Sequence, residues 1–443
     1  MPSAAFLEYV KFRTEASYAA AAPQTASNWN IGGNGGGANG WFELPVLKTA
    51  EAQPKSPLIY PMTKSGSRHM HTALPVAGSN PPEQIGSYEF PIYPVLCDRL
   101  WRAVFGTVAR TETAGVAALA STAFGSLATL DTQPATLEIL KFVIASSTAA
   151  SAAVINVIQG GVTVETITIG TNAGTVNGSY YTKGGYDGSV NAVTFTIAGT
   201  VTLGMVVVSG IKYVSNLFTI ANTTPSLVFE QGGRIEAGSG NSEFFAGCVV
   251  PTLSLNYART DQQGLLMGNA TILGQKPANA TATTYGNDAA KTWYRPFAAW
   301  TASLTLGGSP WLEVQAMTIT LSPRTGLYEV SSGTQSPSGK IEGEFGIEGE
   351  LTILPADNAR FADYQAATAR DINLTFTSPY MVNAATPFSL TFEIPALTLG
   401  DYTRTQVAVG EAIAQGATCP FVGVYDSAHS GGVRMTSVDR LPV

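Results

Sequence analysis

The sequence has 443 residues, of which 24 are Lys or Arg and 31 are Asp or Glu, for a formal net charge of −7. Charged residues make up only 12% of the chain and hydrophobic ones 45%, where an ordinary soluble domain carries roughly 25% charged. The acidic balance argues against a basic nucleic-acid binder, the apolar content against charge-rich disorder, and the odd count of cysteines (Cys97, Cys248 and Cys419) against a disulfide scaffold.

In chain order, the start Met1-Pro2-Ser3-Ala4-Ala5-Phe6 lacks the basic and apolar regions of a secretion signal. No apolar run reaches the roughly 18 to 20 residues of a membrane helix. The reading is of a chain made and folded in a reducing cytoplasm. The sequons at Asn177, Asn222, Asn269, Asn279 and Asn373 then carry no message beyond composition. Residues 24–90 read as irregular. Asn30 to Gly40 is glycine-rich, and Pro54, Pro57, Pro61, Pro81 and Pro82 punctuate the later part of the stretch. In a polymer such a segment suits an arm that orders against a neighbour.

Residues 91–106 change character. Ile92, Val95, Leu96, Leu100, Val104 and Phe105 recur at helical spacing, with Asp98, Arg99 and Arg102 off the stripe, which predicts a short amphipathic helix ending at Gly106. A second helix is predicted over 356–370, with Phe361 and Tyr364 on one face and Asp357 near its start. Nearly everything else alternates with period two, as in Val154 to Ile158, Val162 to Ile169, Val193 to Ile197, Thr318 to Leu321, Leu351 to Leu354, Asn373 to Phe376 and Ser389 to Ile394. The expected class is mainly β, a sandwich or barrel with two short helices.

Residues 130–215 stand apart, with no Trp, few acids and short strands between turns such as Gly160-Gly161, Asn177-Gly178 and Asp187-Gly188. They suggest a small β-sandwich inserted between residues 1–129 and 216–443 of a larger domain.

Catalytic and metal motifs are weak. His69-x-His71 would present two rings on one strand face but has no third ligand nearby, and its setting reads as a polar loop. His429 is the remaining histidine, and there is no G-x-S-x-G elbow. Each cysteine sits among apolar neighbours, as a small buried hydrophobe does. Gly33 to Ala38 copies the letters of a dinucleotide fingerprint without the strand and helix that give it meaning. The acidic cluster Glu342, Glu344, Glu348 and Glu350 is the most interesting set, because on one strand all four share a face. It lacks a calcium-loop pattern, and a glycosidase pair on a single strand is poorly supported. A solvated acidic face is the plain reading. In a ring, that face would line a central hole and repel phosphate-bearing cargo.

The order of several segments resembles the tail tube (major tail) proteins of long-tailed, non-contractile bacteriophages. These segments are Leu100 to Gly106, Thr224 to Glu230, Phe245 to Leu255, Gly268 to Gly274, Met317 to Leu321, Gly339 to Phe345, the helix near Phe361, and Phe392 to Pro395. The resemblance covers about 85–110 and 218–430. It implies a non-enzymatic virion protein without cofactor that stacks as hexameric rings into a hollow tube. Its partners would be itself, the tail terminator, the tape-measure protein and the tail tip, and DNA would pass through without specific binding. Six copies at −7 would make each ring strongly acidic. The insert is similar to small immunoglobulin-like modules on the outside of phage particles. A capsid-decoration or sheet-forming surface protein is the alternative, and a polysaccharide-active enzyme a more distant one.

Overall fold

The computed structural model describes residues 9–15, 42–44, 48–50, 58–59, 62–63, 71–72, 76–77, 83–94, 98–123, 131–132, 138–149, 153–170, 174–182, 185–186, 191–198, 201–202, 205–232, 242–258, 264–274, 278–279, 295–328, 338–383, 385–409, 412–429 and 431–439. The glycine-rich 30–40 run, the prolines after it, Cys97 and His69 lie outside the described residues. So does the side chain of His71.

The chain is mainly β and antiparallel, with two short α-helices among the described residues. Alternation explains it: in Pro387–Leu399, Phe388, Leu390, Phe392 and Ile394 are buried while the residues between them are half-buried. One run of neighbours passes from Glu83–Pro91 through Met267–Gly274, Ser242–Ala258, Val314–Ser322 and Gly346–Ile353 to Ala412–Gly423. A second passes from Gly106–Ala123 through Met205–Ile220, Arg434–Asp439, Pro387–Leu399 and Arg370–Met381 to Ala302–Leu306. Pro387–Leu399 belongs to both, because its far end pairs with Ala412–Gly423. The inner faces of the two runs share one hydrophobic core. Tyr257 of the first meets Phe376 of the second edge to face, with ring centres 5.8 Å apart.

The first helix, Asp98–Phe105, plugs this core. Trp101 packs edge-on against Phe392, and Phe105 lies between Phe218 and Phe345. The helix is half the length that spacing predicts. Residues up to Pro91 form a strand, and Ile92 then bonds in both directions, donating to Leu266 and accepting from Phe297. Those bonds hold Ile92 in extended geometry, and Pro94 follows it. The second helix is also shorter, Ala359–Gln365, and ends where Ala367 adopts φ 48° before a strand starts at Arg370.

A separate core lies between residues 140 and 208. Ile139–Ala149, Gly174–Tyr181 and the start of Met205–Ile220 form one layer. The other has the order Asp131–Thr132, Val193–Ala198, Ala153–Gln159, Val162–Gly170. Phe142 and Phe195 join the layers edge to face at 5.3 Å. Gly106–Ala123 and Met205–Ile220 pair from Gly106↔Ile220 to Ala123↔Met205 and form a continuous ribbon between the two cores. Bulges interrupt the ribbon near residues 209–213, and there the fully buried Glu138 carboxylate accepts the Val116 amide at 2.7 Å. Beside it, Glu112 takes Lys141 Nζ at 2.6 Å and Tyr181 OH at 2.7 Å, clamping the ribbon to the second core.

Candidate assembly face

The first run of strands has an outer face that the core does not use. Cross-strand register places Val422, Glu348, Thr320, Ser254, Asn269 and Glu89 in one row across five neighbouring pairings. A second row holds Pro420, Glu350, Thr318 and Asn256, and a third Thr252, Thr271 and Ser87. These positions are mostly hydroxyls, amides and carboxylates, and at the edge of the first row Lys48 stands opposite Glu89. Ser87 Oγ donates to Asn269 Oδ1 at 2.5 Å within the face. On the second run the outward Glu393 is neutralised by a two-pronged contact with Arg434, at 2.5 and 2.6 Å.

The four clustered glutamates do not share one strand. The chain leaves strand geometry after Ile341 and re-enters at Gly346. Glu348 and Glu350 lie on Gly346–Ile353, exposed and on one side. Glu344 is exposed on the connection. Glu342 turns inward: its carboxylate accepts the Thr224 amide at 3.0 Å, the Thr224 and Thr325 hydroxyls, and Lys340 Nζ. Partial burial pushes this carboxyl up, but the hydrogen bonds from Lys340, Thr224 and Thr325 prevail and hold it below its ordinary value. It is a structural pin between the connection before Leu227 and the entry to the acidic strand. The glycines at 343 and 346 carry the signal of this break. A Cβ on Gly343 would come within 2.7 Å of the Arg324 carbonyl, in a turn where Arg324 itself takes φ 50°.

Gly349, between the two exposed glutamates, has a different task. It faces the core, and a Cβ there would lie 2.0 Å from the Thr318 carbonyl and 2.5 Å from the Phe421 ring. The absence of a side chain lets the Phe421 ring of the neighbouring strand lie across the gap.

The other candidate groups are placed without chemistry around them. Cys248 is fully buried, and burial, with the nearby Glu15 charge, raises its thiol well above the ordinary value. Burial, aided by the Glu350 charge, pushes the Cys419 thiol up to about 11. Both behave as small hydrophobes. His429 pairs with Asp426 in a surface turn. Among the described residues no group of three His, Cys, Asp or Glu could hold a metal ion, and no helix is long and apolar enough to cross a membrane.

Sequence reasoning passed over the polar rows beyond the glutamates. Thr318, Thr320, Ser254, Asn256, Asn269 and Thr271 are ordinary strand residues one by one, and only register assembles them into a surface.

Residues 212–421 match the family model described as phage tail tube protein. No curated protein matches the chain. The matched span takes in Glu342, Glu344, Glu348 and Glu350 and most of the strands that build the polar rows. It begins inside the ribbon strand and leaves out the second core.

Proposed function

We propose that this chain, a phage tail tube protein by its residues 212–421, closes into rings that stack, with a lumen lined by the polar rows around Glu348 and Glu350. The observation that carries this reading is the face itself: broad, built largely of Thr, Ser and Asn, and bearing the exposed carboxylates of Glu348 and Glu350, while Lys48 stands opposite Glu89 at its edge. Around Glu348 and Glu350 such a surface repels a polyanion and offers it no cation at their cross-strand partners, so DNA slides past without being held. The proposed rings are hexameric, the tube is the conduit for DNA, and the tape-measure, terminator and tail-tip proteins are its partners. The second core, outside the matched span and carried at the far end of the ribbon, is proposed as an outward module that the tube wall does not need.

Electron microscopy of purified protein or of virions should show hollow filaments of stacked rings. In filaments of the double variant Glu348→Lys, Glu350→Lys, added duplex DNA should be retained at low salt and released at high salt, while wild-type filaments let it wash out. Protein that stays monomeric at every concentration would sink the tube reading. Filaments whose DNA retention is the same in variant and wild type would sink the lumen assignment alone.

A further inference from the structure

Helix, ribbon and C-terminal strand meet at a buried polar triad. Asp98, the first residue of the Asp98–Phe105 helix, is 3% exposed. Its Oδ2 accepts hydrogen bonds from Ser437 Oγ at 2.7 Å and from Asn216 Nδ2 at 3.0 Å, and the amide and hydroxyl are themselves 3.4 Å apart. Among the described residues no cation forms a salt bridge with this carboxyl. The charge of Arg99, its neighbour on the helix, acts on it less than burial and the two hydrogen bonds do, and Arg102 lies one turn further on. From the C-terminal strand, Asp439 shares the buried face of Ser437, and Lys212 on the ribbon strand is exposed.

A buried carboxylate served only by neutral donors is poorly compensated for lost water. Loss of solvation pushes the Asp98 carboxyl up to about 7, against the hydrogen bonds of Ser437 and Asn216 and the charge of Arg99. Asn216 Oδ1 is also buried without a hydrogen-bond partner among the described residues. A proton on Asp98 supplies a donor: with the amide turned over, the 3.0 Å contact becomes O–H···O.

We propose that the Asp98–Asn216–Ser437 triad is a proton-dependent latch at the root of the ribbon, closed while Asp98 is neutral and loosened when it ionises. The latch rests on the fold and not on the tube reading. In the unfolded chain Asp98 loses its proton around the ordinary value of 3.8, whereas the folded chain keeps it to about 7. The stabilisation is therefore complete below the lower value and fades as pH rises through the upper one.

Amide hydrogen exchange on the full chain, corrected for its intrinsic pH dependence, reads the latch at residues 214–219 and 434–439. Between about pH 5 and about pH 9, opening of these amides in the wild type should rise on the order of ten- to a hundredfold, with residues 154–158 of the second core as the unaffected control. Asp98→Asn, similar in shape but unable to ionise, should flatten that response, and Asp439→Asn should preserve it. A response that persists in Asp98→Asn, or one that disappears in Asp439→Asn, overturns the latch. If Asp98→Asn does not fold, wild-type protein with carbon-13-labelled aspartate gives an independent reading. One carboxyl titrating near neutrality supports the latch, and all carboxyls titrating in the ordinary range overturn it.

Discussion

The two cores of this chain are built from the same antiparallel material but are held together differently. The main core has a helix inside it, with Trp101 against Phe392 and Phe105 between Phe218 and Phe345. It draws strands from residues 9 to 439. The second core closes within residues 140 to 208 and has no helix among its described residues. Between them runs a ribbon pinned by Glu138 and Glu112. A core assembled from distant segments must be complete before it is stable, whereas a local one closes on short loops. The family match follows this division, covering strands of the main core and omitting the second.

The largest effect should come from removing a central ring in each core. Phe392→Ala and Phe142→Ala each delete a fully or almost fully buried aromatic and should each cost about 3–5 kcal/mol. Their consequences should differ. In thermal unfolding followed by calorimetry, Phe392→Ala should lower the main transition and abolish filaments. Phe142→Ala should lower a separate transition and leave filaments intact. A single shared transition in both variants would break the comparison and make the two cores one cooperative unit.

A smaller effect tests the wall beneath the acidic face. Gly349→Val should cost roughly 2 kcal/mol or more, because its side chain meets a strand carbonyl and the Phe421 ring at once. The gauge is the denaturant midpoint. A variant as stable as the wild type would show that Phe421 has room to move aside.

The smallest sharpens the assignment of Glu342. Glu342→Ala leaves the Thr224 amide without its acceptor and Lys340 with the Thr224 oxygens alone, and should cost about 1–2 kcal/mol at neutral pH. Because this carboxyl sits below its ordinary value, its contribution is present at neutral pH and lost as pH falls through the lowered value. The gap between variant and wild type should therefore close on acidification. A variant as stable as the wild type at neutral pH would mean that Glu342 is a free surface acid after all.

Much of the fold was legible in the sequence because period-two alternation reports burial directly. Ser389 to Ile394 reads as a strand and is one. The helix at Asp98 was legible in kind but not in length, since the bonds that hold Ile92 extended come from Leu266 and Phe297, far along the chain. The acidic cluster was legible as a cluster. That Glu342 turns away from Glu348 was not, because the Thr224 amide that captures it lies 118 residues upstream. The triad at Asp98 was invisible for the same reason: an aspartate at a helix start looks like an ordinary helix opening until Asn216 and Ser437 are brought against it.

Composition and local pattern were enough to settle a β-rich, weakly charged chain, its two helical positions, and an order of segments that resembles tube proteins. Those properties are set by alternation, glycine and proline, and they survive without knowledge of neighbours. Which polar residues share a face, which acid is a pin and which are exposed, and where a carboxyl goes dry were decided in three dimensions. Each of these depends on strand register and burial, which fix contacts between residues hundreds of positions apart.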